Sequence, residues 1–180
     1  MRRLLMVATW LTCAALGLRL FVALAVASDC SGDGPVYRQI AVNLLEHHGY
    51  SLETEDPYLP TLIRMPGYPL VLAAIFTLFG KGGTTAVHVI QAVADTATCW
   101  AAALLCALWA PRSWGRDSRR LASLSAFVLL EACPFTFVYA GTLLTETWAL
   151  LFGTLCVLAG SWALEAEGRG LLRWAATGLL

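Results

Sequence analysis

The chain has 180 residues, 58% hydrophobic and only 13% charged, with a mean hydropathy of +0.68, where a soluble domain carries about a quarter charged residues. This composition argues against an ordinary soluble enzyme. Twelve Lys and Arg balance twelve Asp and Glu, so no global basic field exists to hold a nucleic acid, and nucleic-acid binding is set aside.

Leu4 to Ala27 is an apolar run broken only by Arg19. At about 1.5 Å per residue it exceeds the ~30 Å of bilayer hydrocarbon. Arg2, Arg3 and the small residues Ala25-Val26-Ala27 also fit a secretory signal peptide. The apolar part is too long for one and further apolar segments follow, so an uncleaved anchor is expected.

Next comes Gly32-Asp33-Gly34-Pro35, and after it Tyr37, Ile40, Ala41, Leu44, Leu45 and His48 fall on one helical face. Pro35 suits the first turn and Gly49 the left-handed position after the last. The spacing predicts an amphipathic helix lying on the membrane, with His47 and His48 in its last turn. Asp33 is the expected capping residue, yet Gly34 is also able to take the cap and leave the Asp33 carboxylate facing outward. Both readings stay open.

Tyr68 to Phe79 is apolar but reaches only about 18 Å as a helix, too short to span, so it is expected at the interface as a second such helix. Thr84 to Trp109, Leu121 to Leu144 and Thr145 to Leu164 are long enough to cross, and Pro134 should kink the middle one of these. Gly170 to Leu180 is apolar but stops short, as the start of a further helix would.

Arg112, Arg116, Arg119 and Arg120 against Asp117 put the segment 111–120 in the cytoplasm with Arg2 and Arg3, by the positive-inside rule. Residues 28–83 then form one large outer loop. Its part 28–66 carries Asp29, Asp33, Glu46, Glu53, Glu55 and Asp56 against Arg38 and Arg64. The junction 144–147 is also outside, on the same side as Asp33. The fold expected is an all-α membrane protein of about four transmembrane helices, residues 4–27, 84–109, 121–144 and 145–164. The start of a fifth follows them, and two amphipathic interfacial helices lie in the outer loop 28–83.

Within the spans Arg19, Asp95 and Glu131 are costly unless paired or facing water. Arg19 with Asp95 is the preferred pair, and Gln91 and His88 lie one and two turns from Asp95 on the same face. No Cys-x-x-Cys or Cys/His ligand spacing occurs, so neither a disulfide framework nor a zinc site is expected. Glu146 sits in the first turn of an outer-side helix, where the dipole favours an acid.

The order of pieces is specific: a first span, Gly32-Asp33-Gly34-Pro35-Val36-Tyr37, then Asn43-Leu44-Leu45 and Gly49-Tyr50-Ser51. Arg64-Met65-Pro66-Gly67-Tyr68-Pro69-Leu70, Leu78-Phe79-Gly80 and Leu144-Thr145-Glu146-Thr147 complete it. This resembles the bacterial membrane glycosyltransferases of the GT-C superfamily, in the branch of protein O-mannosyltransferases and lipid A aminoarabinose transferases. The chain corresponds to the amino-terminal part of that longer architecture, so residues 1–180 alone are expected to lack transferase activity.

The resemblance implies sugar transfer from a polyprenyl-phosphate donor to an acceptor hydroxyl of a lipid, glycan or protein, at the outer face of the plasma (inner) membrane. It implies Asp33 as the catalytic residue, with Glu146 as the supporting acid. Many relatives have a glutamate directly after the aspartate, where this chain has Gly34. A base is needed to deprotonate the acceptor as the sugar carbon becomes cationic, and Asp33 is the candidate. Tyr37, Arg64 and Tyr68 are substrate-binding candidates, Arg64 for the phosphate. No cofactor is implied with certainty, and nothing in the residues points to a divalent metal. The alternative is a non-catalytic multi-pass scaffold or transporter component in which Asp33 caps a helix and the intramembrane charges are structural.

Overall fold

The computed structural model describes residues 2–25, 32–164 and 178. Asp29, Cys30 and the apolar run from Gly170 that was expected to open a fifth helix lie outside the described residues. Among the described residues seven helices occur in order: α1 (Arg2–Ala25), α2 (Gly34–Leu45), α3 (Gly67–Phe79), α4 (Thr84–Trp109), α5 (Arg116–Glu131), α6 (Pro134–Ala140) and α7 (Glu146–Leu164). The described residues form no strand, and Ser51 with Pro60 makes one isolated antiparallel bridge. The regular structure of the described residues is helical, and the length and apolarity of several helices suggest a membrane protein. Three helices are long and apolar enough to cross a bilayer: Met6–Ala25 of α1, α4 and α7. The count becomes four if α5 and α6 are taken as one broken span.

The break between α5 and α6 falls where Pro134 was expected to kink a single helix. A prolyl nitrogen has nothing to donate to the carbonyl four residues back. The carbonyl of Leu130 is instead taken by the Cys133 amide at 3.1 Å, and the Thr136 hydroxyl donates to the Cys133 carbonyl at 3.0 Å. The result is two helices, with Pro134 opening the second.

The chain divides into two compact units. One holds 1–17, 93–136 and 147–180; the other holds 18–92 and 137–146. In the first, small residues let helices approach closely: Ala15, Cys99 and Ala103 are buried around Phe127. Trp100 lies against Phe127 with ring centroids 4.4 Å apart and donates its indole N–H to Thr12 Oγ1 at 2.9 Å. Arg119 reaches back to the Ala107 carbonyl at 2.7 Å, so a cation of the arginine-rich turn meets the negative end of α4.

The second unit gathers the last turns of α1, the whole of α2 and α3, the first turns of α4 and the turn between α6 and α7. Helix α2 packs on α3, burying Tyr37, Ile40 and Ala41 against a unit core that includes Tyr68, Leu72 and Phe76. The apolar face expected for α2 is therefore present, but the helix ends earlier than expected. Leu45 is its last residue, and His47 and His48 lie beyond it rather than in its last turn. The His48 amide bonds the Asn43 carbonyl at 2.9 Å and the His47 amide the Leu44 carbonyl at 3.4 Å, the pairing that closes a helix through a left-handed residue. That residue is His47, at φ 63°, so the role assigned to Gly49 falls two positions earlier. Gly49, at φ 81°, turns the chain a second time.

Asn43 anchors the start of the loop beyond α2. Fully buried, it donates its side-chain amide to the carbonyls of Ser51 at 2.8 Å and Glu53 at 2.9 Å, while its oxygen accepts from Gln39 at 3.0 Å. At the far end of α3, Lys81 pairs with Glu46 and Arg38 donates to the Lys81 carbonyl at 3.2 Å. The Lys81 ammonium holds the exposed Glu46 carboxyl below its ordinary value. This surface tie is in place above pH 4.5 and is lost as pH falls through the lower folded-state value. Asn43→Ala should cost about 2 kcal/mol by leaving two carbonyls without donors. Limited proteolysis of the membrane protein should then cut faster between residues 46 and 66; an unchanged cleavage rate would show that the loop is held by something else.

Candidate functional site

The site is built where α2 begins and the loop before α3 returns to it. Helix α2 starts at Gly34, with Pro35 in its first turn and Asp33 at the capping position. The Asp33 carbonyl accepts the Tyr37 amide at 3.1 Å, but its side chain makes no capping hydrogen bond. Gly34 is not the cap, and the Asp33 carboxylate does not cap either. It pairs with the Arg64 guanidinium through Nη2. The Asp33 side chain is 45% exposed and that of Arg64 29%, so the pair is a half-buried one open to solvent on the acidic side.

Three further contacts fix Arg64. Its guanidinium lies over the Tyr37 ring, 5.9 Å from the centroid, within the range of a cation–π attraction. Its Nη1 donates to the Ile63 carbonyl at 3.0 Å. Its backbone carbonyl accepts the Tyr50 hydroxyl at 2.8 Å, and burial pushes the Tyr50 phenol above its ordinary value, keeping it a donor. The Thr61 amide bonds the Tyr50 carbonyl at 2.9 Å, so the segment that presents Arg64 is clamped at both ends. The Nε of Arg64 is buried without a hydrogen-bond partner.

Behind Tyr37, the Tyr68 ring meets it edge to face with centroids 5.1 Å apart. The Tyr68 hydroxyl donates to Gln91 Oε1 at 2.7 Å. Gln91, fully buried on α4, turns its amide nitrogen to the carbonyls of Tyr139 at 3.2 Å, Ala140 at 3.2 Å and Thr142 at 2.7 Å. Tyr139 and Ala140 are the last residues of α6 and Thr142 lies just beyond it; the Tyr139 and Thr142 carbonyls also accept the amides of Thr142 and Leu144. One glutamine thus joins α3, α4 and the turn before α7, and through two tyrosine rings it supports Arg64.

Of the five residues singled out in the sequence as catalytic, supporting or substrate-binding, Asp33, Tyr37, Arg64 and Tyr68 come together. Glu146 opens α7 half-buried, and its carboxylate accepts from the Thr145 hydroxyl at 3.4 Å. It belongs to the same compact unit as Asp33, and Gly32 lies close to Leu144. Arg19 and Asp95 are both buried and belong to different units. No cluster of three or more His, Cys, Asp or Glu side chains that could hold a metal ion forms among the described residues. Gln91 and Tyr50 had no assigned role in the sequence. The one signal for Gln91 was a neutral amide one turn from Asp95 in an apolar helix.

Chemically, the site offers a solvent-reachable carboxylate paired with a guanidinium that rests on the buried Tyr37 ring. It is suited to a ligand with an anionic group and a hydroxyl. Compared with known proteins, the chain matches no family model, no curated protein and no solved structure.

Gln91→Leu conserves volume but takes the side-chain donor from the Ala140 carbonyl and the acceptor from the Tyr68 hydroxyl. It should lower the stability of the detergent-solubilised protein by about 2 to 4 kcal/mol, at about 1 to 3 kcal/mol for each buried group left unsatisfied. A thermal midpoint equal to the parent's would contradict the supporting role.

Proposed function

We propose that this chain is part of a bacterial membrane glycosyltransferase of the GT-C type, acting at the outer face of the plasma membrane. The reaction is transfer of a sugar from a polyprenyl-phosphate donor to an acceptor hydroxyl on a lipid, glycan or protein. The observation that carries the reading is the convergence of Asp33, Arg64, Tyr37 and Tyr68, from segments far apart in the chain, at the start of the first helix after α1.

In this reading Asp33 takes the proton of the acceptor hydroxyl as that oxygen attacks the anomeric carbon. The carbon–oxygen bond to the lipid phosphate breaks, its electron pair leaves with the phosphate, and configuration inverts. Arg64, with Nε unpartnered, receives the phosphate charge. The Tyr37 ring gives the guanidinium an aromatic floor, and Tyr68 supports that ring from behind. Glu146 serves as the supporting acid. The topology has about four spans, with α2 and α3 as interfacial helices in the outer loop. It draws support from the second compact unit, which collects the end of α1, the start of α4 and the turn before α7.

The Asp33–Arg64 pair also favours a second reading, a non-catalytic multi-pass scaffold in which it only fastens the loop to α2. The two separate in membranes containing the full-length protein and a labelled polyprenyl-phosphate sugar. Asp33→Asn keeps an oxygen for Arg64 and should change stability by no more than about 1 kcal/mol, yet lower transfer about 100-fold or more. Retention of most activity in Asp33→Asn removes the catalytic assignment. Absence of transfer by the parent protein across donors of this class leaves the scaffold reading in its place.

A further inference from the structure

Around Arg64 the loop carries a set of apolar side chains that the protein does not cover. Leu62 is 98% exposed, Met65 85%, Leu59 60% and Ile63 55%. Four large apolar side chains within seven residues form a contiguous surface that a water-facing loop does not sustain. The opposite end of the same loop is different in kind: Glu55 and Asp56 are exposed there, and Glu53 is tied to Ser51. The loop is therefore polarised along its length, with acids at its tip and an apolar stretch with one cation at its return.

We propose that residues 59–65 insert into the bilayer surface, placing Leu62 and Met65 among acyl chains and Arg64 at the level of the headgroup phosphates. Three observations select lipid over a protein partner. The loop belongs to the same compact unit as the last turns of α1 and the first turns of α4, two helices long and apolar enough to cross a membrane, so it is built onto the ends of membrane spans. Its apolar surface runs on in sequence into the exposed Leu70, Leu78 and Phe79 of α3. No carboxylate occurs between Asp56 and Asp95, and Arg64 and Lys81 each meet an acid from outside the stretch, so the stretch brings no acid of its own to repel anionic headgroups. An arginine flanked by leucine, isoleucine and methionine matches the interface, where a long cationic side chain reaches the phosphates from an apolar base.

Insertion has a consequence for the site. The loop that dips into the membrane is the one that presents Arg64 to Asp33, so the depth of the loop sets the height of the ion pair above the acyl chains. The inference needs only the crossing helices and does not depend on the sugar-transfer reading.

The test uses the full-length protein in vesicles of phosphatidylethanolamine and phosphatidylglycerol, with photoreactive benzoylphenylalanine at position 62, 55 or 10. Leu62 and Glu55 are exposed, so neither replacement removes a packed side chain. Trp10, exposed on crossing helix α1, provides the lipid-facing reference. After irradiation, mass spectrometry should find lipid acyl adducts at position 62 on the scale of position 10 and severalfold above position 55. Position 62 yielding no more lipid adduct than position 55, or crosslinking to another part of the protein, overturns the proposal.

Discussion

A half-buried arginine organises the loop between α2 and α3. Asp33, at the start of α2, pairs with Arg64 and ties the returning loop to the helix. Both side chains keep solvent access, so the pair contributes about 1 kcal/mol or less. Everything near it serves the same geometry. Tyr37 takes the flat face of the guanidinium, Tyr50 grips the backbone of Arg64, and Tyr68 buttresses Tyr37. The chain of contacts ends at Gln91, a neutral amide saturated by a phenol and three carbonyls.

The apolar surroundings explain why these contacts are made so completely. Where water is scarce, an unpaired polar group is expensive, so hydrogen-bonding groups are collected into a few shared centres. Asn43 does at the C-terminal end of α2 what Gln91 does on α4. Each is a primary amide with donors and an acceptor, able to bind carbonyls that irregular backbone leaves open. The broken helix at Pro134 obeys the same logic, since the carbonyl that the proline abandons is picked up by Cys133. In each case the irregular segment is stabilised by one side chain or one amide placed beside it.

Much of the architecture was readable from the sequence because hydrophobic runs are local. The extents of α1, α4 and α7 follow from apolar length alone, and α3 from an apolar run too short to cross. The face of α2 followed from its periodicity, but its end did not, because a histidine took the left-handed position that glycine was expected to hold. The third crossing segment divided at Pro134, where local carbonyl satisfaction allowed two helices in place of one bent one. Within the site, Asp33 and Arg64 were both visible as charges in an apolar setting, whereas their pairing across 31 residues was not. The bonds from Gln91 to Tyr139, Ala140 and Thr142 span 48 to 51 residues. No periodicity encodes them; they exist only once α4 and the end of α6 are side by side.

If Arg64 and Asp33 act as one unit, their substitutions must be coupled. A double-mutant cycle on thermal stability, with Asp33→Asn, Arg64→Gln and the double variant in the same detergent or lipid, measures this. The double variant should be less destabilised than the sum of the two single changes, by about 1 kcal/mol for a half-buried pair. Additivity within about 0.3 to 0.5 kcal/mol, the behaviour of independent sites, would show that the two charges lie side by side without holding the loop to the helix.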